Sequence, residues 1–236
     1  MKLLALDTSS EGCSAALLVD GEISERFELA PRGHTRLLMP MVRELLLAQG
    51  LVPADLDVLA FACGPGSFTG LRIATGVVQG LAWGLDIPVV PVSSLEAVAL
   101  GAIETLDIPG HSIPGHSGIA VAFDARMGEV YWGCFECRAG IPVLLGEEQV
   151  CLPSDVALPS GPDHWYGVGQ GWQYRSGMPS AITGQVETID EALVLRASWV
   201  ARLAAIGYRQ GKAVPAEQAQ PVYIRDEVAW KKLPGR

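Results

Sequence analysis

Positive charge is scarce in this chain. Its 17 Lys and Arg stand against 26 Asp and Glu, a net charge of −9 over 236 residues. A surface that grips RNA or DNA neutralises phosphates with clustered basic side chains, and this composition works against such binding by the chain alone. Long apolar runs are lacking as well: none approaches the ~18 residues of a membrane-spanning helix. Near the N-terminus a single Lys is followed by Asp7, with no small-residue cleavage site behind an apolar block. No secretory signal is read there, no membrane partner is expected, and the expected location is cytoplasmic. Cysteines number five, an odd count without a secreted framework, so reduced thiols are expected. Cys134 and Cys137 form a C-x-x-C on a stretch with strand character, where residues three apart point to opposite faces. No second pair completes a zinc site, so both are expected to be structural. What is plentiful is apolar: 49% hydrophobic and only 18% charged residues exclude a disordered chain. The length suits one large domain or two small ones, each with its own core.

Residues 3–8 and 13–19 are β-rich apolar runs, and Asp20-Gly21 marks a hairpin turn into a third strand over 22–29. Apolar residues at three- and four-residue spacing from Leu38 to Ala48 predict a helix ended by Gly50. Pro40 inside it implies a kink or a late start. A short buried strand over 58–63 then delivers a glycine loop, and a helix follows to about residue 85. Another strand is read over 87–92, with Ser93-Ser94-Leu95-Glu96 as a capping box for a helix over 95–103. Strand, loop and helix repeated in this order predict an α/β fold. Residues 108–117 read Ile-Pro-Gly-His-Ser twice, a surface linker with nothing in it to build a core. His111 and His116 lack the acidic or cysteine neighbours that would complete a metal site. A second strand pair is read over 119–124 and 129–135, and a last helix over 191–208; the Pro-, Gly- and Ser-rich stretch 138–185 yields no assignment. The expected domains are 1–107, then the linker 108–117, then a smaller second domain over 118–211, with 212–236 joining the first.

The glycine loop reads Gly64-Pro65-Gly66-Ser67-Phe68-Thr69-Gly70-Leu71-Arg72. Its glycines permit a tight turn whose backbone N–H groups point at a ligand where a helix begins, yet no Lys follows the last glycine as it does in a P-loop. As a string it resembles the hallmark of the TsaB/TsaD family, proteins of tRNA threonylcarbamoyladenosine biosynthesis. Leu4-Ala5-Leu6-Asp7-Thr8-Ser9 is similar to the family's first phosphate motif, and His34-Thr35-Arg36-Leu37-Leu38-Met39-Pro40 to the head of its first helix. Asp124-Ala125-Arg126-Met127-Gly128-Glu129-Val130-Tyr131-Trp132 resembles the opening of its second domain. Pro221-Val222-Tyr223-Ile224-Arg225 and Val228-Ala229-Trp230-Lys231-Lys232-Leu233-Pro234-Gly235 are similar to the end of proteobacterial members. The resemblance implies an α/β fold of two actin-like (ribonuclease H-like) domains, of the acetate kinase–sugar kinase–Hsp70–actin superfamily. It also implies a scaffold: the dimerisation subunit of the complex that transfers a threonylcarbamoyl group to N6 of the adenosine following the anticodon. In that arrangement the catalytic paralogue TsaD holds the metal and the ATPase TsaE joins. tRNA is met only through the complex, and the chain alone forms a homodimer.

Asp7, Thr8 and Ser9 lie where the superfamily's kinases hold metal-bound phosphates. An acid there binds Mg²⁺ through water, or the group closes a hairpin through side-chain to backbone bonds; both readings stay open. Kinase relatives add a glycine-rich loop at the head of the second domain, where this chain has Asp124-Ala125-Arg126-Met127-Gly128 with one glycine. No cofactor is expected beyond a vestigial or weak ATP/ADP site at Asp7, Thr8 and Ser9. In TsaD the first helix carries His-x-x-x-His, two imidazoles one turn apart that share a metal ion. Here Leu38 stands four residues after His34, so no metal is expected and no catalytic residue is assigned. His34 is expected to cap its helix or bond locally. Cys63 has no acid–base partner readable nearby and is expected to be a buried thiol; Ser67 lacks a G-x-S-x-G setting. A small-molecule kinase or ATPase of the superfamily is the alternative, and it would need tight nucleotide binding and an acidic base. A metallopeptidase would need a metal, for which no ligand set is read.

Partner binding is expected on the helices over 34–50 and 69–85. Gly76, Gly80 and Gly84 recur every four residues, and each interior glycine costs a helix about 1 kcal/mol against alanine. Close packing on the chain's own sheet or against a partner helix would offset that cost. The expected interface takes His34, Leu38, Met41, Val42 and Leu45 from the earlier helix, whose apolar face is broader than one core stripe. From the later helix it takes Thr69, Arg72, Ile73, Gly76, Val77, Gly80 and Gly84.

Overall fold

Leu3, Leu4, Ala5 and Leu6 are fully buried. A strand covered on both faces belongs in the middle of a sheet, and β1 (Lys2–Asp7) sits there in the computed structural model, which describes residues 1–105 and 117–225. Antiparallel to it runs β2 (Gly12–Val19), and Asp20-Gly21, at φ 50° and 98°, turns the chain into β3 (Glu22–Leu29). Two consecutive positive-φ residues give the turn whose twist matches a hairpin. After α1 (His34–Ala48) the chain enters β4 (Val58–Gly64), parallel to β1, then α2 (Phe68–Leu85) and β5 (Val89–Ser93), parallel to β4. The first sheet is ordered β3-β2-β1-β4-β5. Ser93 caps α3 (Ser94–Thr105), its Oγ accepting from the N–H groups of Leu95 at 3.1 Å and Glu96 at 3.2 Å.

The second sheet holds β6 (Ser117–Asp124), β7 (Val130–Arg138), β8 (Ile141–Leu144) and β9 (Gln149–Cys151), then β10 (His164–Val168). The short α4 (Ser180–Thr183) and β11 (Val186–Asp190) follow. Its order is β11-β10-β6-β7-β8, with β9 paired to β7. The chain then crosses back, and α5 (Ala197–Arg209) lies against β1, β2, β4 and β5, while α3 reaches the other way onto β6, β7 and β8. These two helices fill the space between the sheets in one core with Ala60, Val98, Val121, Phe135 and Val200. On the outer face of the first sheet Leu4, Leu6, Leu59 and Phe61 pack beneath α1 and α2. On the outer face of the second, Trp132 and Trp165 are covered by the segment carrying Trp172, whose Nε1 donates to the Ala120 carbonyl at 2.9 Å.

Several expectations change. α1 starts at His34 and runs through Pro40; Arg36 and Pro40 are both exposed, so the carbonyl that loses its partner faces water. Ser117 is the buried first residue of β6 and not linker. The last helix, grouped by sequence with the second domain, covers the first sheet, because its apolar face completes a core that α1 and α2 leave open on the other side. Residues 138–185 contain β8, β9, β10 and α4. Val214 bridges back to Val89, and Ala216 and Ala219 pack into the outer core of the first sheet. Residues 108–116 of the linker repeat, with His111 and His116, and the tail motif over 228–235 lie outside the described residues.

Candidate functional site

Backbone lies where side chains would otherwise be in the glycine loop. A Cβ on Gly70 would fall 1.9 Å from the Thr8 carbonyl oxygen, and one on Gly66 2.5 Å from that of Ser9. The loop is thereby knotted onto the turn between β1 and β2. Ser67 N–H donates to the Ser9 carbonyl at 2.7 Å, and Thr8 Oγ1 donates to the Gly70 carbonyl at 2.7 Å. Asp7 Oδ1 accepts the N–H of Ser9 at 2.8 Å and its hydroxyl at 2.6 Å. The side-chain to backbone bond from Ser9 N–H to Asp7 closes the hairpin. Asp7 Oδ2 is buried without a hydrogen-bond partner among the described residues. Burial pushes this carboxyl up from 3.8 to about 7, against the lowering effect of the Ser9 bonds.

In front of this knot lies a cleft of 1010 Å³. Ser9, Ser10, His34 and the start of α2 form one wall, Phe123 to Arg126 and Tyr131 the other, and Val222, Tyr223 and Arg225 the rim. The second wall ends in a tight turn, where Arg126, Met127 and Gly128 all have positive φ (65°, 58° and 80°). Left-handed backbone strains residues that carry a Cβ. Asp124 Oδ1 steadies the turn by accepting the Arg126 N–H at 2.8 Å. His34 faces this cleft, with Nε2 3.1 Å from the Ser10 carbonyl oxygen. It bonds to the turn and does not cap α1, whose N-cap is Gly33 without a side-chain bond.

The expected interface divides in two. Leu38, Met41, Val42 and Leu45 are buried in their own core, so they cannot meet a partner, and His34 belongs to the cleft. The breadth of that apolar face has an intrachain cause: α1 nests on β2 and touches both β3 and α2. On α2 the outcome is the reverse. Thr69, Arg72, Gly76, Gly80 and Gly84 are exposed, with Ile73 and Val77 half-buried at their edge. Among the described residues a Cβ on Gly76, Gly80 or Gly84 would meet nothing within 4 Å, so the glycine stripe does not pack on its own sheet. Beside it stand Trp83, 73% exposed, and Phe68, 56% exposed. Neither aromatic was singled out from sequence, although Trp83 stands one residue before Gly84. Tyr223, which stacks on Phe68 with ring centroids 5.4 Å apart, entered only as part of a tail motif.

Burial raises the thiols of Cys13, Cys63 and Cys134 to about 12 and that of Cys151 to about 11. Thiols held that high stay protonated and unreactive at neutral pH. Cys134 and Cys137 are free on β7. Among the described residues no three His, Cys, Asp or Glu gather as a metal site needs, and no helix is long and apolar enough to cross a membrane.

Two α/β sheets around a shared helical layer, with a cleft between the β1–β2 and β6–β7 turns, define a protein of actin-like (ribonuclease H-like) architecture. The profile of the family described as TsaD, tRNA N6-adenosine threonylcarbamoyltransferase, matches residues 27–165. The tRNA threonylcarbamoyladenosine biosynthesis protein TsaB of Escherichia coli (strain K12) is 39% identical over 240 residues, covering 100% of both chains. That of Haemophilus influenzae is 40% identical over 246 residues, covering 100% of this chain and 98% of its own. The structure of YeaZ from Pseudomonas aeruginosa matches with a TM-score of 0.86 at 43% identity, over 94% of this chain and 99% of that one. This chain belongs to the TsaB family of tRNA threonylcarbamoyladenosine biosynthesis proteins.

Proposed function

We propose that this chain is the non-catalytic, partner-binding subunit of the complex that places a threonylcarbamoyl group on N6 of the adenosine following the anticodon. It acts in the cytoplasm, pairs through the outer face of α2 with the catalytic paralogue TsaD, supports the ATPase TsaE, and meets tRNA only through them. Alone it forms a homodimer on the same face.

The observation that carries this reading is the bare stripe Gly76, Gly80 and Gly84 beside Trp83, where an added Cβ would meet nothing within 4 Å among the described residues. Three helix-interior glycines cost about 3 kcal/mol against alanine, and no contact among the described residues offsets that. A partner helix brought close enough to touch backbone does. The inward use of Asp7, Thr8 and Ser9 supports a subunit that performs no chemistry, since their hydrogen bonds serve the fold. The net charge of −9 supports leaving the tRNA to a partner.

The test is a binding and modification assay. Gly80→Leu fills the stripe without touching the chain's own core, and it should stay folded yet lose at least tenfold in affinity for TsaD. The chain with threonylcarbamoyl-adenylate and tRNA but no TsaD should yield no modified nucleoside. Normal pairing by a folded Gly80→Leu variant overturns the interface; turnover without TsaD overturns the non-catalytic role.

A further inference from the structure

We propose that residues 219–225 are a latch that crosses the cleft and couples its two walls, with Tyr223 as the fastening on the first sheet's side and Arg225 on the second's. Gln79 Nε2 donates to the Ala219 carbonyl at 2.9 Å, and Val222 N–H donates to the Cys63 carbonyl at 2.7 Å. The fit to the glycine loop is close, since a Cβ on Gly64 would fall 2.4 Å from the Val222 carbonyl oxygen. One residue on, the Tyr223 ring stacks on Phe68 and its hydroxyl accepts from Arg72 Nε at 3.1 Å. Arg72 in turn lies over the Phe68 ring, 3.9 Å from its centroid.

Two residues further the same segment grips the opposite wall. Arg225 donates to the Ala125 carbonyl at 3.1 Å, contacts Met127 Sδ at 3.2 Å and pairs with the Glu129 carboxylate. These three partners surround the turn whose Arg126 and Met127 are left-handed. A turn in that conformation persists where surrounding contacts over-determine it, and Arg225 supplies such contacts from outside the turn's own strands.

The segment between the anchors is not core. Ala219 is rooted in the first sheet's outer core, but beyond it Val222 is 47% and Tyr223 40% exposed, so residues 220–225 can peel from the surface without unfolding either sheet. Closed, it sets how far the 123–126 wall stands from the glycine loop; released, it frees both. A hollow of 320 Å³ lined by Thr75, Gly76, Gln220 and Tyr223 also places the latch's outer edge beside the glycine stripe. Resting on the partner-binding reading, it follows that a partner seated on that stripe bears on the latch and is felt at the far wall.

Amide hydrogen exchange on the full chain without any partner tests the coupling and leaves the partner-binding reading aside. Arg225→Ala should speed exchange at least tenfold in the 124–129 turn and also across the loop, in peptides spanning 66–72 and at Val222, with α5 unchanged. Tyr223→Phe removes one hydroxyl and should send a smaller effect the other way, from the loop to the 124–129 turn. Arg126→Ala, which removes a cleft side chain that does not touch the latch, should leave 66–72 as in the parent. An Arg225→Ala effect confined to 124–129, or a Tyr223→Phe effect confined to the loop, overturns the proposal. Circular dichroism on each variant separates latch release from unfolding.

Discussion

Two turns face each other across the cleft, and they are held by opposite means. The turn after β1 is buried at Thr8 and Ser9, and its polar atoms bond to themselves and to the glycine loop: Ser9 to Asp7, Thr8 to Gly70, Ser67 to Ser9. The turn after β6 is exposed at Met127, is left-handed at two residues with side chains, and is gripped from outside by Arg225. One is locked by what surrounds it in the core; the other adds to its own Asp124 bond the grip of a segment about a hundred residues away. The pair shows how one architecture can keep two facing hairpins with different sets of contacts.

The largest expected effect breaks the locked side. Gly70→Ala puts a Cβ against the Thr8 carbonyl and should destabilise the protein by more than about 4 kcal/mol, or prevent folding. Gly80→Ala, the same chemical change one helix face away, should stabilise by about 1 kcal/mol. Urea melts of the two variants measure the contrast directly.

The next effect is smaller and depends on pH. Asp7 holds its proton more tightly in the folded chain, to about 7, than the 3.8 of a free carboxyl. The folded state therefore binds more protons between those values, and stability falls as pH rises from about 4 to about 7. Asp7→Asn should flatten that slope, with a difference from the parent of roughly 4 kcal/mol between pH 4 and pH 8. Thermal melts across that range read it; parallel curves for the two proteins would mean that Asp7 is not the titrating group.

The smallest effect sharpens the other side. Arg126→Gly relieves one left-handed residue and gives up only the ion pair of an 83% exposed guanidinium with Asp124. It should gain about 0.5 kcal/mol in a chemical melt, where the same change at a turn without positive φ would lose stability.

The first hundred residues were legible because each element carried its own punctuation. Asp20-Gly21, Gly50, the glycine loop and Ser93 mark ends that the structure reproduces within a few residues. Residues 138–185 were not, because β10 is a five-residue strand without alternation, and its cover comes from Trp172, Val156 and Met178, which no local pattern announces. The interface reading failed on α1 for a related reason. A wide apolar face looks the same in sequence whether it meets a partner or, as with Leu38 and Leu45, nests between a sheet and a neighbouring helix. The glycine stripe was visible in sequence as an energetic oddity, but only the fold shows that nothing among the described residues covers it. Tyr223 and Arg225 reach their partners across 151 and about a hundred residues, beyond any periodicity.

The place of α5 bears on how the chain is made. β1, β2, β4 and β5 are complete by Ser93, yet the helix that covers their inner face ends at Arg209. At ~10 residues per second a ribosome takes roughly ten seconds to deliver it. For that interval the nascent sheet shows water a row that includes Leu3, Ala5, Val58 and Ala60, a surface suited to holding by a chaperone. A chain stalled before residue 197 would carry a finished sheet that cannot close.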